Sequence, residues 1–293
     1  MRALVAGSSG FIGSALVPEL RGAGHEVRRL VRRPADASDE FSWDPPAGTI
    51  SEAALDGVDL AINLCGASLF GRWSAARKQV IRDSRLEPTE VLAEAVAEHG
   101  VPALINASGA DYYGNTGDIA VDETGGEGAG FMAELCADWE NAANPARKAG
   151  ARVVSLRTGI VLSADGGMLQ VLKPLFWLAL GGRLGDGRQY VPWISLPDEV
   201  RAIQFAAEHP ELAGPINLCA PNPVTNVEFT RALGRGVHRP APWFAPATAL
   251  RLVLGAEGSE LPLASRRTIP KVLTDAGFEF RHTDLDAALA DVL

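Results

Sequence analysis

The chain has 293 residues, of which 47% are hydrophobic and 22% charged, a composition typical of soluble globular proteins with one large domain or two smaller ones. Its net charge of −9 and the absence of a basic tract argue against a protein that binds nucleic acid through the phosphates. Three widely spaced cysteines, no expected signal peptide and no apolar stretch long enough for a bilayer indicate a cytoplasmic protein with neither a metal site nor a membrane partner.

The first predicted elements are a short buried strand at 3–6 and an amphipathic helix at 11–20. Between them, three glycines follow the GxxGxxG spacing. The first is expected to turn the chain sharply out of the strand, the second to let a pyrophosphate approach, and the third to let the helix pack closely on the sheet. The helix amides and dipole favour the phosphates, so the loop predicts a dinucleotide site rather than an empty glycine-rich turn. This loop comprises Gly7, Ser8, Ser9, Gly10, Phe11, Ile12 and Gly13.

The second predicted strand, 25–32, ends in two arginines. In sites that prefer NAD, an acidic residue about twenty positions beyond the glycines binds the ribose 2′-hydroxyl. Here that position holds Arg32 and Arg33, whose charge and forked donors suit a 2′-phosphate. The pair favours NADP(H) over NAD(H), and the alternative is a merely solvated strand end.

The next part of the chain alternates strands and helices. Strands are predicted at 41–43, 60–64, 102–107 and 153–156, and helices at 75–100 and 131–148. Pro88 interrupts the first of these helices and is expected to form a kink or a new first turn. Small residues after the fourth strand leave room for adenine and ribose at its carboxyl end. The alternation predicts an α/β fold with a Rossmann-like, doubly wound parallel sheet, whose ligands bind at the carboxyl ends of the strands.

The remainder of the chain has a different pattern. An apolar helix is expected within 163–195, a helix at 196–209, a strand at 215–219, a helix that starts at Thr225 and Asn226, and a terminal strand and helix at 278–280 and 285–293. We therefore expect a dinucleotide-binding domain of 1–162 plus 196–220, and a smaller, discontinuous substrate-side lobe of 163–195 plus 221–293.

With these motifs in place, the chain resembles the extended short-chain dehydrogenase/reductases, which include nucleotide-sugar epimerases, and within them the atypical, epimerase-like YfcH-type family. The matching motifs follow in order along essentially the whole chain. They include GSSGFIG at 7–13, NLCG at 63–66, DYYG at 111–114, WE at 139–140, RTGIVL at 157–162, GGRLGDGRQ at 181–189 and NLCAP at 217–221. The resemblance implies a Rossmann domain with a small C-terminal lobe and NADP(H) as cofactor. Besides the glycine loop and the two arginines, the cofactor site is expected to include Leu64, Cys65, Gly66, Ala107 and Arg157.

One part of the family pattern is missing. Typical members of the superfamily use a Ser or Thr, a Tyr that acts as acid and base, and a Lys four residues after that Tyr, but none of the three tyrosines here has such a lysine. Ser108 matches the serine position, or else only caps the following loop. Of the adjacent Tyr112 and Tyr113, at most one is expected to face the nicotinamide, and Tyr112 is the candidate proton donor, unless both are structural. A phenol without a nearby ammonium donates a proton more readily than it accepts one, which suits carbonyl reduction.

Two functions remain open from the sequence. The first is an NADP(H)-dependent oxidoreductase or epimerase-like enzyme acting on a small carbonyl or hydroxyl compound near Ser108 and Tyr112. The alternative is a non-catalytic NADP(H)-binding sensor or scaffold, which the missing Tyr/Lys pair favours. None of the five histidines has triad or metal spacing, and we expect them at the surface.

Overall fold

The computed structural model describes all residues from 1 to 293. The strands are β1 (Arg2–Ala6), β2 (Glu26–Val31), β3 (Glu40–Asp44), β4 (Thr49–Ile50), β5 (Leu60–Asn63), β6 (Ala103–Gly109), β7 (Ala120–Val121), β8 (Arg152–Thr158), β9 (Ile160–Ser163), β10 (Gly182–Leu184), β11 (Tyr190–Val191), β12 (Trp193–Ser195), β13 (Gly214–Leu218), β14 (Val224–Thr225), β15 (Trp243–Ala245) and β16 (Arg267–Thr268). The helices are α1 (Phe11–Gly22), α2 (Ala75–His99), α3 (Phe131–Asn141), α4 (Asn144–Lys148), α5 (Gly167–Trp177), α6 (Leu196–Glu208), α7 (Asn226–Gly236), α8 (Ala247–Leu254), α9 (Ala256–Leu263), α10 (Lys271–Asp275) and α11 (Leu285–Val292). None of these helices combines the length and apolar character that crossing a bilayer requires.

Eight strands form one central sheet in the order β13-β8-β6-β5-β1-β2-β3-β4. Every neighbouring pair is parallel except β3 and β4, which are antiparallel. The strand order reverses between β1 and β5, and in such sheets a crevice for ligands opens at the carboxyl ends of the two strands. The predicted fold class, a Rossmann-like parallel sheet, is confirmed.

The central strand β1 is covered on both faces. Ala3 and Val5 belong to the core that contains residues of α1 and α6, whereas Leu4 and Ala6 belong to the core that contains residues of α2 and α4. Successive side chains of a strand point to opposite faces, so burial of both sets requires the unbroken apolar run seen in the sequence. This double burial holds the end of β1, and the glycine loop that follows, in a fixed place.

A third core lies among β9, β12, α5, α7 and α11. It contains Leu169, Phe176, Trp193, Leu233 and Leu289. Helix α7 begins where the sequence predicted, because Thr225 and Glu228 form a capping box: the Thr225 backbone N–H donates to Glu228 Oε2 over 2.7 Å. The division into two lobes with boundaries at 162, 195 and 220 stays a prediction.

Two predicted elements differ from the structure, and one of two alternatives is excluded. Of the kink or the new first turn expected at Pro88, the new turn is absent, because Pro88 lies inside the single helix α2. The helix predicted at 131–148 is two helices, because Pro145 has no N–H to donate to the carbonyl of Asn141, the last residue of α3, and lies instead in the first turn of α4. The strand predicted at 278–280 is wrong: Phe278 and Phe280 stack edge to face at 4.9 Å on the core without a strand partner.

Candidate functional site

The glycine loop packs so tightly that two of its positions have no room for a side chain. Gly7 has φ = +78°, and a Cβ there would lie 2.8 Å from the carbonyl carbon of Leu64. A Cβ on Gly13 would lie 2.2 Å from the carbonyl oxygen of Gly7. The turn and the close helix packing predicted for these two glycines are therefore present.

The first turn of α1 has no side chain to cap it. Its N-cap residue is Gly10, whose own N–H donates to the Gly7 carbonyl over 2.9 Å. Ser9 and Gly10 are exposed, Ser8 is buried, and Phe11 and Ile12 are half-buried. Amides without an internal acceptor at a helix N-terminus favour an anion, so the loop suits a phosphate.

The two arginines after β2 have different surroundings. Arg33 donates from Nη1 and Nη2 to both carboxylate oxygens of Glu40, over 2.8 and 2.7 Å, and also pairs with Asp36. Arg32 is exposed and has no ion-pair partner. Both line a cavity of about 360 Å³ between the ends of β2, β3 and β4. Of the two predicted 2′-phosphate ligands, Arg32 is the one whose donors are free.

The residues after β5 lie at the same edge. The Leu64 N–H donates to the carbonyl of Ala6, at the end of β1, over 3.0 Å. Burial raises the pKa of the Cys65 thiol to about 12, although the nearby positive charge of Arg32 opposes this shift. The ends of β5 and β2 flank the end of β1 in the sheet, and Gly66, which follows Cys65, is exposed.

A buried amide cluster beneath this edge was missed in the sequence. Asn63 donates from Nδ2 to Thr89 Oγ1 and to Asn106 Oδ1, over 2.8 Å in both cases, and its Oδ1 accepts the N–H of Cys65. Trp139 donates its indole N–H to Thr89 Oγ1 over 2.9 Å. The cluster holds the ends of β5 and β6 to α2 and α3. The sequence signal that could have indicated this cluster is an asparagine near the end of each of two neighbouring strands.

Ser108, at the end of β6, is hydrogen-bonded to a buried ion pair. It is buried, and its hydroxyl donates to Glu140 Oε1 over 2.9 Å. Arg157, on the neighbouring strand β8, donates to the same carboxylate from Nε and Nη2 over 2.8 and 3.0 Å. Burial alone would lower the pKa of Arg157, but the hydrogen bonds and charge of Glu140 outweigh it and raise the pKa. Ala107, between Asn106 and Ser108, is half-buried.

The structure distinguishes the adjacent tyrosines. Tyr113 is buried, donates its hydroxyl to Asn217 Oδ1 over 2.8 Å and accepts a hydrogen bond from Arg157 Nη1 over 3.0 Å. Burial raises the pKa of Tyr113 to about 12. Tyr112 is half-buried, and its ring lies 3.5 Å from the guanidinium carbon of Arg157, while its hydroxyl has no partner within the protein. Tyr113 therefore packs, and Tyr112 has the free hydroxyl.

Ser108, Glu140, Arg157, Tyr113 and Asn217 thus form one hydrogen-bonded chain across the ends of β6, β8 and β13. The sequence indicated no role for Glu140 or Asn217, whereas packing of one tyrosine of the pair, with Tyr112 as the proton donor, was expected. Glu140 and Asn217 belong to quoted motifs, but no spacing rule links residues of separate elements.

A cavity of about 620 Å³ opens at the turn that follows β6, and none of Ser108, Tyr112 or Arg157 lines it. Its walls come from the turn at 111–115, the start of α3, and helices α8 and α9, and include the ion pair of Asp111 and Arg266, whose closest atoms are 3.0 Å apart. Asp111 directly precedes Tyr112. The cavity is large enough for a small organic substrate.

The expectation that every histidine lies at the surface is wrong for His282. This residue is buried, with Nδ1 2.9 Å from Ser195 Oγ, and its backbone N–H donates to Asp198 over 2.8 Å. Ser195 is fully buried and caps the start of α6. Ser195, Asp198 and His282 are all buried, and their hydrogen bonds join the start of α6 to the backbone before α11.

A family model described as the NAD-dependent epimerase/dehydratase family matches residues 3–219, and one described as a domain of unknown function, DUF1731, matches residues 245–292. Epimerase family protein Mb2239 from Mycobacterium bovis is 54% identical over 286 residues, which cover 97% of this chain and 95% of that protein.

The solved structures that are similar over 100% of this chain include two that are 30% or more identical. The human epimerase family protein SDR39U1 (isoform 2) with NADPH has a TM-score of 0.89 and 30% identity, with 99% of its chain covered. A nucleoside-diphosphate sugar epimerase from Corynebacterium glutamicum has a TM-score of 0.83 and 38% identity, with 58% of its chain covered. The predicted resemblance is confirmed, and the chain belongs to the NAD-dependent epimerase/dehydratase family.

Proposed function

We propose that the chain binds NADP(H) at the carboxyl edge of its sheet and acts as an oxidoreductase or epimerase-like enzyme on a small carbonyl or hydroxyl compound. The observation that carries the cofactor assignment is the unpaired guanidinium of Arg32 beside a glycine loop with an uncapped helix N-terminus. The loop amides would hold the pyrophosphate, and Arg32 the 2′-phosphate. NADPH in the human relative supports this assignment.

The tightly packed glycines support the same cofactor. A Cβ at Gly7 or Gly13 would collide with backbone, so the loop keeps its amides close to the strand end. Such a cradle is what a pyrophosphate between two nucleotides requires. Arg33 would support the site only indirectly, because Glu40 and Asp36 already occupy its donors.

The proposed proton donor is Tyr112. Bound NADPH would supply a hydride to a carbonyl carbon, and the carbonyl oxygen then needs a proton. Tyr112 has the free hydroxyl, and the cationic guanidinium of Arg157 lies against its ring. Glu140 pairs with the same guanidinium, so the ring faces an ion pair and not a free cation. Donation of the Tyr112 proton to that oxygen would complete a carbonyl reduction.

Fluorescence titration with NADPH and NADH tests the cofactor. Arg32→Ala is expected to weaken NADPH binding by roughly tenfold or more, the value of a lost charged hydrogen bond, and to leave NADH binding unchanged. Arg33→Ala is expected to have a smaller effect. Lys148→Ala, at the end of α4 and so near the amino edge of the sheet, is the control. Equal affinity of the wild type for both nucleotides would contradict the assignment.

A non-catalytic NADP(H)-binding sensor is the second candidate. The observation that favours it is the Ser108 hydroxyl, which donates to Glu140 and not toward an open site. NADPH consumption measured with a panel of aldehydes and ketones separates the two functions. The enzyme predicts turnover that Tyr112→Phe abolishes, whereas the sensor predicts nucleotide binding without turnover in both proteins.

A further inference from the structure

The C-terminal part of the chain exposes an apolar surface. Nine of the fourteen large apolar side chains that are exposed lie in two segments, 171–180 and 243–253. We call this surface the lobe face; it consists of Val171, Leu175, Trp177, Leu178, Leu180, Trp243, Phe244, Leu252 and Val253. Single exposed apolar residues need no explanation, but a concentration of this size marks an interaction surface.

The two segments are joined in space. Strands β10 and β15 pair in parallel, with Gly182 opposite Trp243. The indole N–H of Trp243 donates to the carbonyl of Ala179 over 2.8 Å, and Arg239 donates to the carbonyl of Trp177 over 3.3 Å. Helix α8 follows β15 directly and has no buried residue. The end of α5 and β15 therefore lie side by side, and α8 continues the exposed chain directly after β15.

The tryptophans are distributed unevenly. Four of the six, at positions 43, 73, 139 and 193, are buried in the cores. The other two, Trp177 and Trp243, are 54% and 59% exposed and both belong to the lobe face. Tryptophan is enriched where an apolar phase meets water, because its ring is apolar and its N–H is polar.

The two chain segments that carry the lobe face contain basic and no acidic residues, although one of the basic residues, Arg235, pairs with Asp286 outside them. Segments 166–185 and 229–256 contain six basic residues and no Asp or Glu, whereas the rest of the chain has 21 basic and 36 acidic residues. Arg183 lies over the Phe244 ring at 5.6 Å, and Arg239 bonds only backbone carbonyls. Neither arginine has a carboxylate partner, so both charges are available at the rim of the apolar surface.

Against the expectation of no membrane partner, we propose that the lobe face docks the protein on an anionic lipid surface. The apolar side chains enter the boundary between headgroups and acyl chains, while Arg183 and Arg239 meet lipid phosphates. A protein of net charge −9 is repelled by such a surface everywhere except at a local cationic face, which fixes its orientation. A symmetric pairing of two copies through this face would bring the unpaired arginines of both together, which is unfavourable.

Cosedimentation with vesicles tests the proposal. The protein is expected to pellet with equimolar phosphatidylglycerol and phosphatidylcholine, and not with phosphatidylcholine alone, with a blue shift of the tryptophan emission. Leu178→Asp or Phe244→Asp is expected to lower vesicle partition at least about tenfold. Arg183→Gln or Arg239→Gln is expected to lower it roughly fivefold each. The matched controls are Ile119→Asp, 71% exposed outside the lobe face, and Lys148→Gln, and both should bind as wild type.

Three outcomes would overturn the proposal. Absence of pelleting with the mixed vesicles, or equal partition onto both kinds of vesicle, overturns the proposal. A dimer in solution that Phe244→Asp separates, together with no vesicle binding, also overturns it and makes the lobe face a subunit contact. Two aspartate variants at separate sites, each checked for wild-type circular dichroism, keep the result independent of misfolding at one position.

Discussion

The guanidinium carbon of Arg157 lies 3.5 Å from the ring centre of Tyr112, and the same guanidinium is held by both oxygens of Glu140. A cation over an aromatic face is attracted by the ring's negative π face. Because Arg157 sits at the end of β8 and Tyr112 in the turn after β6, this contact positions the free phenol at the edge where the glycine loop also lies. A lysine four residues after a tyrosine would supply a similar charge from a helix.

The two tyrosines give a matched pair of variants. Tyr113→Phe is expected to lower the free energy of unfolding by about 1–3 kcal/mol, because Asn217 Oδ1 loses its donor and Arg157 Nη1 its acceptor in a buried place. Tyr112→Phe removes a hydroxyl without a protein partner and is expected to change stability by less than about 0.5 kcal/mol. Urea unfolding of both variants measures the difference. Equal losses would mean that Tyr113 is not held as described.

The ion pair of Arg157 and Glu140 should matter far more than those at the surface. Arg157→Leu removes the cation that pairs with Glu140, whose side chain is 12% exposed. This variant is expected to lower the free energy of unfolding by about 3–5 kcal/mol, because a buried carboxylate is left without a partner. The comparison variant is Arg235→Leu, which breaks the pair with the exposed Asp286 and is expected to cost less than about 1 kcal/mol. Thermal unfolding ranks the two. A cost for Arg157→Leu no larger than that of the surface pair would refute the buried network.

Two glycines of α1 test the close packing of the loop. Gly13→Ala forces a Cβ against the carbonyl of Gly7 and is expected to cost about 1–3 kcal/mol of stability and to abolish nucleotide binding. Gly22, in the last turn of the same helix, has nothing within 4 Å of a Cβ, and Gly22→Ala is expected to stabilise the protein by about 0.4–1 kcal/mol. Calorimetry and NADPH titration of the two variants decide between a packed loop and a tolerant one.

Local patterns in the sequence predicted most of the sheet but little of the site's hydrogen bonding. The run at 3–6 and the glycine spacing identify β1 and its loop because strand burial and turn geometry depend on neighbouring residues. The pairing of Ser108 with Glu140 depends instead on how α3 packs against β6 and β8, which no short pattern encodes. The different states of Arg32 and Arg33 likewise depend on Glu40, which the parallel pairing of β2 and β3 brings near. His282 was misjudged for the same reason, since Ser195 lies 87 positions away.

The pH dependence of stability tests a buried acid in α6. Glu199 is fully buried, and burial raises its pKa from 4.5 to about 8, although a hydrogen bond donated by Thr158 over 3.0 Å opposes the shift. Between these two values the folded protein binds a proton that the unfolded chain has lost. The free energy of unfolding should therefore fall as the pH rises from about 4.5 to about 8, by up to about 1.4 kcal/mol per pH unit from this residue. The contribution of protonated Glu199 to the free energy of unfolding is complete below pH 4.5 and is lost as the pH rises through the folded-state pKa.

Glu199→Gln replaces the titrating carboxyl with an amide of the same shape, so that position 199 no longer binds or releases a proton. Urea unfolding at several pH values should then show a flatter profile between pH 5 and 8 than the wild type, with the largest gain of the variant at the alkaline end. The exposed Glu211 provides the control, and Glu211→Gln should leave the slope of the wild type unchanged. Wild-type and Glu199→Gln profiles that run parallel across this range would mean that Glu199 is ionised in the folded protein. Its unpartnered Oε2 would then need a cation or water that compensates the buried charge.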